Sequence, residues 1–136
     1  AVEAEVLRRA AVECDETGSS RLEENLDRQR KAVKGGDHES FNGLDYEFHK
    51  LLCEIGQVDF AFDVISSEKA RVDRLCMLSL SKEDRMPQLL RDHELIARMV
   101  ATRNQAEAVE AGMIHLSRLD ATIQAIHSTN ENYFDP

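Results

Sequence analysis

Apolar residues recur along this chain at intervals of three and four, and nowhere alternate with polar ones as a half-buried strand would, so the pattern predicts helices throughout. Six segments emerge. The first covers about residues 1–15 and is expected to end in "DETGSS", where Gly18 and two serines break the repeat and can cap the next start. The second, "SRLEENLDRQRKAVK", carries Leu22, Leu26 and Val33 on one face and stops at Gly35 and Gly36. The third follows "GDHES", with Asp37 as its N-cap, and runs to Ile55 before Gly56. A fourth spans roughly residues 60–80 with Val64, Ile65, Val72, Leu75 and Leu78 inward, and gives way to the charged break "SKEDRMP", whose Pro87 suits an early helical position. The fifth, "QLLRDHELIARMVATR", repeats Leu89, His93, Ile96, Ala97 and Val100. In the sixth, "NQAEAVEAGMIHLSRLDATIQAIH", Asn104 and Glu107 have the spacing of a capping box, and the tail "STNENYFDP" reads as irregular. With no internal repeat and no low-complexity run, the segments predict one all-α domain, an antiparallel helical bundle.

At 136 residues the chain can bury a full core without disulfides or structural metal. Its net charge of −9 lacks the basic footprint of a phosphate-backbone binder, so direct contact with nucleic acid is not expected. Cys14, Cys53 and Cys76 form no CxxC pair, and an odd count fits small apolar residues in a reducing interior, hence a cytoplasmic protein. No run approaches the roughly 18 apolar residues of a membrane span. The opening "AVEAEVLRRA" has no initiating Met and is already helical, which suggests a piece of a longer polypeptide.

The chemistry lies in polar groups on inner faces. In "LDYEFHKLL", Asp45 and His49 stand one turn apart among Leu44, Phe48, Leu51 and Leu52, close enough to reach one ion. His93 falls in the apolar stripe of the fifth helix, and His115 lies beside Gly112, Leu116 and Leu119 on the last. A single inward histidine is ordinarily a satisfied core residue, and Asp45 with His49 alone would make an i,i+4 pair. Three imidazoles and a carboxylate from three helices, however, cost several kcal/mol to bury unless hydrogen bonds or a cation satisfy them. The donor set suits zinc, nickel, iron or manganese, with zinc or nickel foremost, and an open position would take a carboxylate from an effector. His38 and His127 lack inward spacing.

Arg71 and Arg74 fall among apolar positions of the fourth helix; either their stems snorkel along the bundle or one guanidinium enters the cavity to clamp an anionic effector. Asp92, Glu94 and Asp120 are candidates to orient the imidazoles. Gly112, mid-helix, costs about 1 kcal/mol against Ala and can admit a close neighbour. A metal-dependent hydrolase or lyase is the rival reading; it lacks an HExxH-type motif and has only Glu94 to offer as general base.

"DYEFH" at 45–49, "ARVDRLCMLSL" at 70–80, "RDHELIARMV" at 91–100 and "AEAVEAGMIHLSRL" at 106–119 together resemble the effector-binding domain of bacterial GntR-type transcription regulators of the FadR subfamily, over about residues 2–134. The resemblance implies six or seven helices around a central metal and ligand cavity. It implies a divalent ion held by Asp45, His49, His93 and His115, a small organic or sugar acid as effector, and a homodimer. A winged-helix domain would precede it and bind DNA. Relatives often carry basic residues where Cys76 and Met77 stand, and an Arg on the first helix that would lie upstream of Ala1.

Overall fold

A computed structural model describes residues 2–78 and 85–129, excepting the side chains of residues 75–78, 126, 127 and 129; Cys76, Met77, Leu75, Leu78 and His127 thus fall outside the described side chains, and of the tail expected to be irregular residues 130–136 lie outside the described residues while 128 and 129 continue the last helix. Among the described residues there are six helices and no strand: α1 (Val2–Glu13), α2 (Glu16–Lys34), α3 (His38–Ile55), α4 (Ala61–Leu78), α5 (Met86–Ala101) and α6 (Gln105–Thr129). No described helix is long and apolar enough to cross a membrane.

Local chemistry sets the boundaries. Asp37 caps α3 as expected, its carboxylate accepting from the Ser40 amide at 3.1 Å and the Ser40 hydroxyl at 2.7 Å. The expected break at "DETGSS" is displaced: Asp15 caps α2 by accepting from the Gly18 amide at 2.7 Å, so α2 begins at Glu16 and Gly18 is helical. Gly18 serves packing instead, since a Cβ there would stand 3.2 Å from Ile55 Cγ1. Pro87 lies in the first turn of α5, where a missing amide hydrogen costs nothing. At the start of α6 the Asn104 amide donates to the Thr102 hydroxyl at 2.8 Å in place of the reciprocal box with Glu107.

One apolar cluster joins the helices, with Leu7, Leu22, Leu26, Phe48, Leu52, Ile96 and Val100 almost fully enclosed. Each large side chain taken out of water contributes roughly 1.5–3 kcal/mol. Val64 departs from its expected inward place and is half exposed, because Ile65, 100° further round α4, fills the core position. Gly112 gives room to a neighbour: a Cβ there would fall 2.1 Å from Leu7 Cδ1, so Leu7 of α1 packs on α6 where no side chain intervenes. Cys14 and Cys53 are buried free thiols.

Candidate metal and effector site

Asp45 and His49 from α3, His93 from α5 and His115 from α6 all lie buried in the bundle. One ring nitrogen from each histidine falls within 4.8 Å of the other two. Asp45 stands at the edge of this trio, its Oδ1 3.3 Å from His49 Nε2 and 3.3 Å from His93 Nε2. The i,i+4 spacing of α3 makes the first contact, and the stacking of His93 on Phe48, with centroids 4.5 Å apart, helps to fix the second.

The opposite nitrogen of each ring is turned to an acceptor. His93 Nδ1 lies 2.8 Å from Gln29 Oε1, and His115 Nδ1 lies 2.9 Å from Asp92 Oδ2. Asp92 is itself held by Gln88 at 3.0 Å and Arg118 at 3.1 Å. His49 Nδ1 is 3.1 Å from Glu3 Oε1 of α1, an ion-pair distance without hydrogen-bond alignment. An outward acceptor on each imidazole is the arrangement that orients histidines toward a metal.

Inside the ring, polar atoms are left facing one another. Asp45 Oδ1 and His93 Nε2 are buried and make no hydrogen bond, and His49 Nδ1 also lacks an aligned partner. Burial pushes His93 below its ordinary pKa in spite of the Asp45 carboxylate, which favours the neutral ring. The neutral ring then sets a nitrogen lone pair against a carboxylate oxygen, a contact that only a cation or a proton relieves. At His49, burial works against the charged form, but the Glu3 and Asp45 carboxylates outweigh it and raise the pKa to about 10. Burial likewise opposes ionisation of Asp45, and the positive charge held on the His49 ring beside it keeps this carboxyl well below its ordinary range.

The donor types suit a divalent ion, and the histidine nitrogens, within 4.8 Å of one another, would draw together around it. Donors held at about 2.0–2.1 Å from one such ion stand roughly 3–3.4 Å apart, and both Asp45 distances fall in that interval. Three buried histidines can therefore form a metal site, and among the described residues no thiol belongs to the cluster.

The basic group beside the site is Lys69, which the sequence reading did not single out. Its Nζ lies 2.7 Å from Asp45 Oδ2 and 3.3 Å from Asp73 Oδ1, over the Tyr46 ring at 4.6 Å. Arg71 and Arg74, expected to reach an effector, are exposed on α4. Two positions along a helix turn a side chain 200° away and five turn it 140°, so α4 cannot present all three to one place. Lys69 also occupies Asp45 Oδ2, which leaves Oδ1 as the free donor of that carboxylate.

Of the candidate orienting residues, Asp92 fills the role at His115, whereas Glu94 is bound by Arg30 at 3.0 Å and Asp120 is exposed. His38 is exposed. Glu3, Asn25 and Gln29 went unnoticed, although each continues an apolar stripe: Glu3 precedes Val6 and Leu7 by one turn, and Asn25 and Gln29 lie between Leu22 and Val33. A cleft of about 560 Å³ between α2 and α3, lined by Arg28, Lys31, Asp37, Ser40 and Glu47 among others, contains none of the four candidate ligands.

Fold and site together define an all-α domain whose interior holds a cluster of three histidines and a carboxylate able to take a cation. Residues 1–118 match the FCD domain family, and the chain belongs to it. It is similar to the HTH-type transcriptional repressor RspR of Escherichia coli strain K12 and to the uncharacterized HTH-type transcriptional regulator YdfH of Shigella flexneri, 35% identical to each over 135 residues. Those matches cover 98% of this chain and 59% of each relative, so the chain spans about three fifths of their length. Both relatives are named as HTH-type transcriptional regulators.

Proposed function

We propose that this chain is the effector-sensing and dimerising part of a GntR-type, FadR-subfamily transcription regulator of the bacterial cytoplasm. In this reading it holds a divalent cation through Asp45, His49, His93 and His115. The observation that carries the reading is the buried, unsatisfied contact of Asp45 Oδ1 with His93 Nε2, inside imidazoles whose outer nitrogens face Gln29, Asp92 and Glu3. Zinc or nickel suits the donors best, with manganese or iron as the harder alternatives. A bound ion supplies the positive charge that these facing acceptors lack, together with an anchoring point for a carboxylate.

The effector is a small organic or sugar acid. Lys69 is the basic residue placed to receive it, since its ammonium is largely buried at the site while Arg71 and Arg74 face solvent. Binding there changes the output of a separate DNA-binding domain only through a difference in affinity between two arrangements of the helices, because linkage requires it. The domain pairs as a homodimer and touches DNA only through that other domain. Calorimetric titration with a panel of organic and sugar acids, before and after chelation, tests the reading: acid binding is expected to vanish with the metal, and binding indifferent to chelation would contradict it.

A further inference from the structure

Asn25 and Gln29 are enclosed on α2 among Leu22 and Leu26, and neither is a candidate ligand. Two amides in such a place forgo water, and replacing them with apolar side chains would remove that cost. They are joined in a chain of hydrogen bonds whose direction can be read from one end. The Leu44 carbonyl accepts from Asn25 Nδ2 at 3.1 Å. A carbonyl can only accept, so the Asn25 amide must place its nitrogen there and its oxygen on the other side. That oxygen accepts from Gln29 Nε2 at 2.6 Å, which leaves Gln29 Oε1 as the atom facing His93 Nδ1 at 2.8 Å. Only a hydrogen on Nδ1 fills that last contact. The neutral His93 ring is therefore the Nδ1–H tautomer, and its bare Nε2 points at Asp45 Oδ1.

We propose that Asn25 and Gln29 are positioning residues that set the tautomer of His93 and so prepare the site for a divalent cation before one arrives. The inference rests on the reading of Asp45, His49, His93 and His115 as ligands. The chain starts on α3 at Leu44, the residue before one ligand, and ends on α5 at another, so α2 registers the two against each other. An apolar α2 would leave His93 free to carry its hydrogen on Nε2, where it blocks the metal and donates to Asp45 instead. Partners of this kind alter metal affinity by about 10–100-fold when removed.

The test has two readouts on the 136-residue chain. Long-range ¹H–¹⁵N imidazole spectra of the metal-free protein report the tautomer, with His93 assigned by the signals lost in His93→Asn. Zinc affinity is measured by chelator competition at fixed pH. The wild type is expected to show His93 with hydrogen on Nδ1. Gln29→Glu keeps an acceptor against Nδ1 while withdrawing the hydrogen that Asn25 Oδ1 accepts, and should retain the tautomer. Gln29→Met removes the acceptor, and Asn25→Ala frees Gln29 to turn its nitrogen toward the ring; both should give mixed tautomers and zinc binding weaker by about 10–100-fold. Asn25 does not touch His93, so its effect separates a directional chain from a local contact. Folded Gln29→Met and Asn25→Ala proteins with wild-type tautomer and zinc affinity would overturn the inference while the metal reading stood. A wild-type His93 carrying its hydrogen on Nε2 would overturn it without recourse to variants. A wild type with His93 hydrogen on Nδ1 that fails to bind zinc would overturn the metal reading, and this inference with it.

Discussion

Phe48 and His49 are neighbours on α3, yet they belong to interiors of opposite character. Phe48 joins Leu7, Leu52, Ile96 and Val100 in a cluster that needs no partner of particular geometry, because removal from water is non-directional. His49 joins Asp45, His93 and His115, where each polar atom needs a partner of the right geometry and three buried atoms make no aligned hydrogen bond. The apolar half is complete as it stands and should ignore protons and metals. On the proposed reading, a cation completes the polar half. Substitutions and additives should divide cleanly along that line.

The largest effect belongs to the apolar half. Leu52→Ala is expected to cost about 3 kcal/mol, the ordinary price of an emptied core position, with the same loss in urea unfolding whether zinc or chelator is present. Next comes zinc itself. At a hundredfold excess over Kd it should stabilise the fold by about 2.7 kcal/mol, a rise of roughly 10 °C in Tm, and the rise should disappear in His93→Ala and His115→Ala. Unchanged melting in both variants with metal retained would contradict the assigned ligands.

Gly112→Ala should come third. The added methyl meets Leu7 Cδ1, itself enclosed, and the overpacking outweighs the gain in helix propensity to leave a net loss of roughly 2 kcal/mol. This loss should be independent of zinc, and less than additive with Leu7→Ala, since the two changes share one contact.

The smallest step is in pH. In the metal-free protein the His49 pKa is raised to about 10, above its ordinary value near 6.5. Its stabilising contribution is therefore full below about pH 6.5 and is lost as pH rises through the folded value. A metal must displace that proton, so apparent zinc affinity should rise by about tenfold per pH unit between about 7 and 9. Glu3→Gln, which removes the leading charge that raises His49, should flatten this dependence. An affinity constant across that range in the wild type would remove His49 from the ligands.

How legible all this was in the sequence follows the same division. Periodicity located all six helices because burial of Leu22, Leu26, Phe48 or Ile96 depends on spacing alone. Asp45, His49, His93 and His115 were legible as exceptions within those stripes, and all four are buried together. The misses concern side chains whose role depends on a partner far along the chain. Glu3 meets His49 across 46 positions and Gln29 meets His93 across 64, so the local apolar stripe marks each as inward-facing without naming its partner. Lys69 meets Asp45 across 24 positions, a contact that no local pattern on α4 encodes. The Gly18 boundary was misplaced because a glycine that breaks helices elsewhere here admits Ile55, with Asp15 supplying the cap.

The central claim is that side chains from three helices meet to hold one cation, and X-ray absorption at the zinc edge of the loaded chain addresses it directly. The account requires a first shell of nitrogen and oxygen at about 2.0–2.1 Å with the multiple-scattering signature of three imidazoles, reduced to two in His115→Ala. A sulfur shell near 2.3 Å, or a wild-type signal with fewer than two imidazoles, would place the metal elsewhere and leave the buried histidines as hydrogen-bonded core residues.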